Sequence, residues 1–340
     1  MNKLLRFLCV IILGGLCSCE ADRVEPTANA LANFDHLWGE FDQRYGVFEA
    51  KQIDWNALRA TYRPRLTPQA GDGELYQVLT QMLEELNDNH VSLLPTTPAY
   101  PRYVSGQTRG PALNHTSLEV IKNRYLTDYQ MASPTLSYGK LPGNIGYVYL
   151  SGFDESFANY EHNLDRALQY LQGTKGMVLD IRNNAGGRDE LAQYIAGRFA
   201  AGERRLYMKS RKRNGPRQDQ FAAWQAWYVQ PTGKSQYTQP IILLTSDDTI
   251  SAGETFTLAM KRQPHVQHVG LTTSGAFSDR VERDLPNGWR FTISVGDYRD
   301  HNNVSWEGRG LTPAVAVANT AADQAAQRDP MLENAIQLVP

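Results

Sequence analysis

The sequence predicts an α/β protein in which a small N-terminal helical domain precedes a largely parallel sheet covered on both faces. Three observations carry this expectation. Apolar residues recur at 3,4,3,4 spacing between Leu31 and Tyr45, short apolar runs alternate with helical stretches from Ile145 onward, and those runs are apolar on both faces, as doubly covered strands are. The 340 residues suffice for about two domains at the usual ~150 residues each. Apolar residues make up 41% and charged residues 21%, ordinary globular usage that excludes disorder and fibrous repeats. With 34 Lys and Arg against 36 Asp and Glu, the formal charge of −2 lacks the basic excess that phosphate binding demands, so no nucleic-acid partner is expected.

The first residues read as an export leader. Lys3 and Arg6 precede an apolar run from Phe7 to Leu16, too short for a permanent span but of the right length for a signal peptide. Leu16-Cys17-Ser18-Cys19 then resembles a bacterial lipobox. Residues 1–18 are expected to be a lipoprotein signal peptide, Cys19 the lipid-modified mature N-terminus, and 19–30 a polar tether; an ordinary cleaved leader is the alternative. This implies a bacterial cell envelope, with the chain held to a membrane by its lipid at a periplasmic or outer-membrane face. Cys9, Cys17 and Cys19 are the three cysteines, which excludes a Cys nucleophile, a thiolate metal site or a disulfide framework further along. The chemistry must rest on oxygen and nitrogen groups.

Leu31, Phe34, Trp38, Phe41 and Tyr45 line one helix face, with Gly46 as a stop. Asp54 can cap a second helix carrying Trp55, Leu58 and Tyr62, ended by Pro64, and Asp72 a third carrying Leu75, Leu79, Met82 and Leu86. Residues 31–94 are the helical domain, closing on an Asn87-Asp88-Asn89-His90 turn and an apolar Val91–Leu94. Residues 95–143 have no long periodic run and read as a connecting segment. The core occupies 144–330: Ile145–Leu150, Met177–Ile181 and Ile241–Leu244 as strands, Tyr160–Leu171, Asp189–Phe199 and Ala252–Arg262 as helices. Seven basic residues between Arg204 and Arg217 read as a solvated hairpin rather than an anion-binding patch. Phe221, Trp224, Trp227 and Tyr228 fall at helical spacing, which predicts a helix covering the core, with a lid over a peptide groove as the alternative.

Two strand-to-helix turns could bear chemistry. In Thr245–Glu254, Ser251 stands where open α/β sheets place their sites, although Ser251 with Glu254 also spells a capping box. In Leu179–Gly187, the Gly186-Gly187 pair allows backbone amides to approach an oxyanion closely, although a tight turn needs the same residues. No G-x-S-x-G, G-x-G-x-x-G or H-E-x-x-H pattern occurs, and His265 with His268 lacks neighbouring carboxylates, so neither a metal nor another cofactor is expected.

Taken together, Leu86–His90, Ile145–Val148, Leu179–Gly187, Ser251–Glu254, Val269–Gly275 and Glu307–Pro313 resemble, in order, the motifs of the C-terminal-processing or tail-specific serine peptidases, a family that includes the tricorn core. The resemblance implies a crotonase-like α/β core of stacked ββα units and a polypeptide substrate. Members using a Ser-Lys dyad carry a lysine where this chain has Ala276. Lys261, ten residues along the helix from Ser251 and so about 15 Å away at ~1.5 Å per residue, does not replace it. The tricorn-like branch uses Ser, His and Glu, which the resemblance places at Ser251 as nucleophile, His90 as base and Glu307 as orienting acid, with the amides of Ala252 and of Gly186 or Gly187 as the oxyanion hole. Residues 95–143 are too few for the ~80–90 residues of a PDZ module, so selection by free C-terminus does not carry over. A non-catalytic ligand- or peptide-binding protein on the same fold is the runner-up, and an esterase-like hydrolase with the same triad a third reading.

Overall fold

The structure, a computed structural model, describes residues 28–106 and 118–340; the leader, Cys19 and most of the tether lie outside the described residues. The chain opens with α1 (Ala30–Arg44), α2 (Phe48–Lys51), α3 (Trp55–Tyr62) and α4 (Asp72–Glu84). Next come β1 (Ser92–Leu94), β2 (Tyr103–Val104), α5 (Leu118–Arg124), β3 (Asp128–Met131), β4 (Leu136–Leu141), β5 (Ile145–Leu150), α6 (Phe157–Tyr170), β6 (Gly176–Asp180) and α7 (Asp189–Gly197). They are followed by β7 (Arg205–Lys212), β8 (Gln225–Val229), β9 (Ile241–Thr245), α8 (Ala252–Met260), β10 (Val266–Gly270), β11 (Arg280–Asp284), β12 (Arg290–Ser294) and β13 (Gly296–Asp300). The last elements are β14 (Val315–Ala316), α9 (Ala321–Ala325) and α10 (Pro330–Leu338).

The apolar stripe of α1 buries Phe34, Leu37 and Phe41. Asp54 caps α3, accepting the Ala57 N–H at 3.0 Å. The cap of α4 falls one residue earlier than its sequence suggests: Gly71 holds the position, its N–H donating to Glu74 at 2.9 Å, and Asp72 lies in the first turn. Trp38 and Trp55 stack with centroids 6.4 Å apart, and each indole N–H donates to the other's carbonyl.

Among the described residues the strands form three sheets. The central one runs β14-β10-β9-β6-β5-β4-β3. From β14 to β5 the pairs are parallel; β4 and β3 add an antiparallel edge, so part of the interval read as a connector belongs to this sheet. On one face Val148, Leu150, Met177, Leu179 and Leu243 pack with residues of α6, α7 and α8. On the other, Tyr147, Val178, Ile242 and Leu244 pack with Ile121 and Leu332 of α5 and α10. Burial of both faces is why these strands are apolar without alternation. At the carboxyl edge of β6, β9 and β10, three loops lie side by side: 181–188, 246–251 and 271–279.

A second sheet, β11-β12-β1-β2, is shared across the chain. Leu93 faces Phe291, and Leu285, Trp289, Phe291 and Ile293 pack into the core of the N-terminal helices. The third, β13-β7-β8, corrects one expectation: residues 225–229 are a strand, not part of a helix, with Trp227 and Val229 buried beside exposed Gln225 and Ala226. The basic run is its hairpin partner β7. Lys209 and Arg211 lie over Trp224 at 4.5 and 4.4 Å, Arg204 lies over Tyr228 at 3.4 Å, and Arg211 also pairs with Asp297 at 2.9 Å. These cross-strand stacks override the helical spacing of the aromatics.

Candidate active site

Ser251 is the last residue before α8, half-buried, at φ 60° and ψ −124°. This backbone is one a side-chain-bearing residue rarely adopts, and it is fastened on both sides. Ser251 N–H donates to Ala276 O at 3.0 Å and faces Glu254 Oε2 at 3.3 Å, Ile250 N–H donates to Asn184 O at 3.1 Å, and Thr249 Oγ1 donates to Ile181 O at 2.9 Å. The loops after β6 and β9 are thereby one unit. The Ser251 hydroxyl makes no cap hydrogen bond; the part of the box that forms runs from the Ser251 N–H to the Glu254 carboxylate.

Gly186 lies directly against the serine. A Cβ there would stand 2.6 Å from Ser251 Cβ and 3.1 Å from its Oγ, and the φ values of Gly186 (86°) and Gly187 (132°) are both open to glycine. Of the glycine pair, one amide is engaged within its own turn. Gly186 N–H is taken by Asn184 Oδ1 at 3.0 Å, because that side chain folds back over its own turn. The N–H groups of exposed Gly187 and of Ala252, the first residue of α8, have no acceptor among the described residues. A helix N-terminus and a glycine turn thus leave two amide donors near the serine that can receive developing negative charge.

The loop after β10 binds the distant motifs together. Its consecutive N–H groups turn onto two buried carboxylates: Gly275 and Ala276 donate to Glu254 at 2.7 and 2.8 Å, Phe277 and Ser278 to Glu307 Oε1 at 3.1 and 2.7 Å. Thr273 Oγ1 adds a fifth donor, to Glu254 at 2.5 Å. Ala276 is fully buried, its N–H on Glu254 and its carbonyl on the Ser251 N–H. Burial pushes the Glu254 carboxyl up to about 7 despite these donors. Burial, then the nearby charges of Asp88 and Glu254, push Glu307 well above the usual carboxylate range, and its Oε2 has no partner.

His90 reaches the same loop from the helical region. Asn89 Nδ2 donates to Ser274 Oγ at 2.6 Å, Ser274 N–H donates to Thr249 O at 3.0 Å, and the Ser278 backbone faces the imidazole. His90 is 6% exposed and its Nδ1 has no partner; burial, helped by Arg280, lowers its proton affinity more than Asp88, Asp279 and the Ser278 backbone raise it. Ser251, His90 and Glu307 are therefore all anchored on residues 274–278. Three contributors escaped the sequence reading: Asp88 beneath His90, Glu254 as a clamp rather than a simple cap, and Asn184, which occupies the Gly186 amide. Asp88 and Asn184 lie inside singled-out motifs and Glu254 inside the capping box, but none of these patterns says which partner each side chain takes. His268, weighed as a metal ligand, shares a 2.7 Å hydrogen bond with Thr245, and Lys261 donates to Thr312 O at 3.3 Å.

Comparison with known proteins follows this division of the chain. The family model described as peptidase family S41 matches residues 144–317, and that of the tricorn protease C1 domain matches residues 26–84. The carboxy-terminal processing protease CtpA of Bacillus subtilis (strain 168) is 25% identical over 174 residues, covering 51% of this chain and 34% of that protein. This chain spans less than half the length of the curated relatives it matches. The crystal structure of a candidate peptidase from Parabacteroides merdae ATCC 43184 superposes with a TM-score of 0.80 at 28% identity, covering 92% of this chain and 97% of that one. Mature CPAF complexed with lactacystin, at 11% identity and a TM-score of 0.67, covers 91% and 97% and shares the fold.

Proposed function

This chain belongs to peptidase family S41, and from that premise we propose that it hydrolyses peptide bonds as a serine peptidase, with Ser251 as nucleophile, His90 as general base and Glu307 as the third member. The observation that carries the reading is the strained turn of Ser251 set against Gly186, with the free amides of Gly187 and Ala252 nearby. In this reading Ser251 Oγ attacks the scissile carbonyl carbon while its proton passes to His90, and the carbonyl π pair moves onto the oxygen, received by the two amides. Each such donor typically contributes ~10²–10³ in rate. His90 then gives the proton to the departing amine, and water, deprotonated by the same ring, releases the acyl group. Glu307 holds the Phe277 and Ser278 amides, and the Ser278 backbone it fixes in turn orients the imidazole that it faces.

The substrate class is polypeptide, envelope proteins or peptides if the leader and the lipid on Cys19 act as the sequence implies. Mass spectrometry of the mature N-terminus checks that part: a lipid-modified Cys19 is expected, and an unmodified N-terminus elsewhere would remove it. The activity is tested by hydrolysis of quenched peptides and of matched esters. Peptide turnover in the native protein and a loss of roughly 10⁴-fold or more in Ser251→Ala are expected. Ester turnover alone would favour an esterase, and no turnover a binding protein.

A further inference from the structure

We infer that Asp88 is the carboxylate that holds and charges His90, a positioning residue for the proton transfer beyond the three residues above. The inference rests on the serine-peptidase reading. Asp88 is 1% exposed, in a turn closed by Asn87 at φ 44°. Its Oδ1 accepts the His90 N–H at 2.9 Å and its Oδ2 accepts the Tyr45 hydroxyl at 2.9 Å, while its own N–H donates to Ser105 Oγ at 3.2 Å. The carboxylate is thus pinned between the end of α1 and the backbone that carries the imidazole.

The surrounding charges single it out. Beyond its own turn, His90 faces Asp279 and Arg280, adjacent groups of opposite sign at and just before the start of β11, and among these charges Asp88 acts most strongly on the ring. Asp88 in turn faces Tyr45, Glu307 and Lys51, whose Nζ donates to Leu86 O and Asn87 O at 2.9 and 2.7 Å. Burial raises Asp88, but Lys51 first and His90 second more than offset this, and it stays below its ordinary value. Glu307 is displaced the other way and its Oε1 is committed to the 277–278 amides. Of two carboxyls shifted in opposite senses, the one that gives up its proton more readily lends more charge to an imidazolium. When the Ser251 proton reaches His90, Asp88 stabilises the resulting cation and is not itself protonated.

The test is the pH dependence of peptide kcat/KM for the native protein, Asp88→Asn, Glu307→Gln and Tyr45→Phe. Asparagine keeps an acceptor for the His90 N–H, and the Tyr45 hydroxyl can turn to accept from its amide, so the charge is what changes. Asp88→Asn should lower kcat by about 10-fold or more with a smaller effect on KM. Without the negative charge the ring binds its proton less tightly, so the acid limb should move to lower pH, by about half a unit or more. Glu307→Gln should leave that limb in place. Tyr45→Phe removes a donor from the carboxylate, strengthens its pull on the ring and should move the limb to higher pH, which keeps the test alive should Asp88→Asn not fold. A limb unmoved in both Asp88→Asn and Tyr45→Phe, or moved instead by Glu307→Gln, overturns the inference. If Ser251→Ala is inert while Asp88→Asn matches the native protein, the role of Asp88 alone fails; if Ser251→Ala stays active, the peptidase reading itself has failed.

Discussion

Ser251 keeps its side chain on a backbone that glycine would hold without strain, and a non-glycine residue there costs about 1–3 kcal/mol. Ser251→Gly is therefore expected to raise stability by about 1 kcal/mol in a urea melt while ending turnover, the opposite signs expected of a residue kept for function. Gly186 tolerates no such exchange. Its φ of 86° and the 2.6 Å approach to Ser251 Cβ leave no room for a methyl group, and the neighbouring atoms are not the tip of a flexible side chain. Gly186→Ala should cut kcat by about 10²-fold or more through displacement of the serine, read by steady-state kinetics. Ser251 and the glycine pair were legible because a polar residue or paired glycines between an apolar strand and a helix point to a sheet edge. That Asn184 occupies the Gly186 amide was not, since a short polar side chain in a turn has many local partners and the sequence does not choose among them.

At the scale of elements, the loop after β10 is held by carboxylates where the sequence shows only an apolar Ala276. Glu254→Ala would take their carboxylate acceptor from the Gly275 and Ala276 N–H groups and the Thr273 hydroxyl, while the Ser251 N–H keeps Ala276 O. At about 1–3 kcal/mol per buried orphan, a loss of more than about 3 kcal/mol is expected in chemical denaturation, with activity lost in the fraction still folded. Asp189, the first residue of α7, joins that helix to α8 and β13 by accepting from Thr255 Oγ1 at 2.8 Å and Tyr298 OH at 3.0 Å. Burial pushes its carboxyl from 3.8 up to about 7. A raised carboxyl binds its proton more tightly in the folded state, so its contribution is full below pH ~4 and is lost as pH rises to ~7, at up to roughly 1.4 kcal/mol per unit. Asparagine can keep both hydroxyl partners, and Asp189→Asn should flatten this decline in melting temperature against pH; an unchanged slope would count against the assignment. The strand β8 was misread because stacking on β7 joins residues far apart in the chain, whereas periodicity reports only local spacing.

For the whole molecule, the central sheet and the N-terminal helices were legible because their apolar patterns repeat locally. The sharing of β11 and β12 with the helical region was not, because Ser92 and Thr292 meet across 200 residues of chain. That join fixes His90, at the foot of β1, to the hairpin that follows the loop holding Ser251, since Thr292 Oγ1 of β12 donates to His90 O at 2.6 Å. Trp289, 1% exposed within the helical core, belongs to the hairpin, and Trp289→Ala should destabilise by about 3–5 kcal/mol. Helical and near-ultraviolet signals should fall together on heating; a helical region melting separately would contradict a shared core. The central claim, that the fold brings a base to an activated serine, is met most directly by mass-spectrometric mapping of a fluorophosphonate adduct on the full chain. A single adduct on Ser251 that is absent from Ser251→Ala and strongly reduced in His90→Ala is the predicted result. Labelling at another residue, or labelling of Ser251 undiminished without His90, would contradict it.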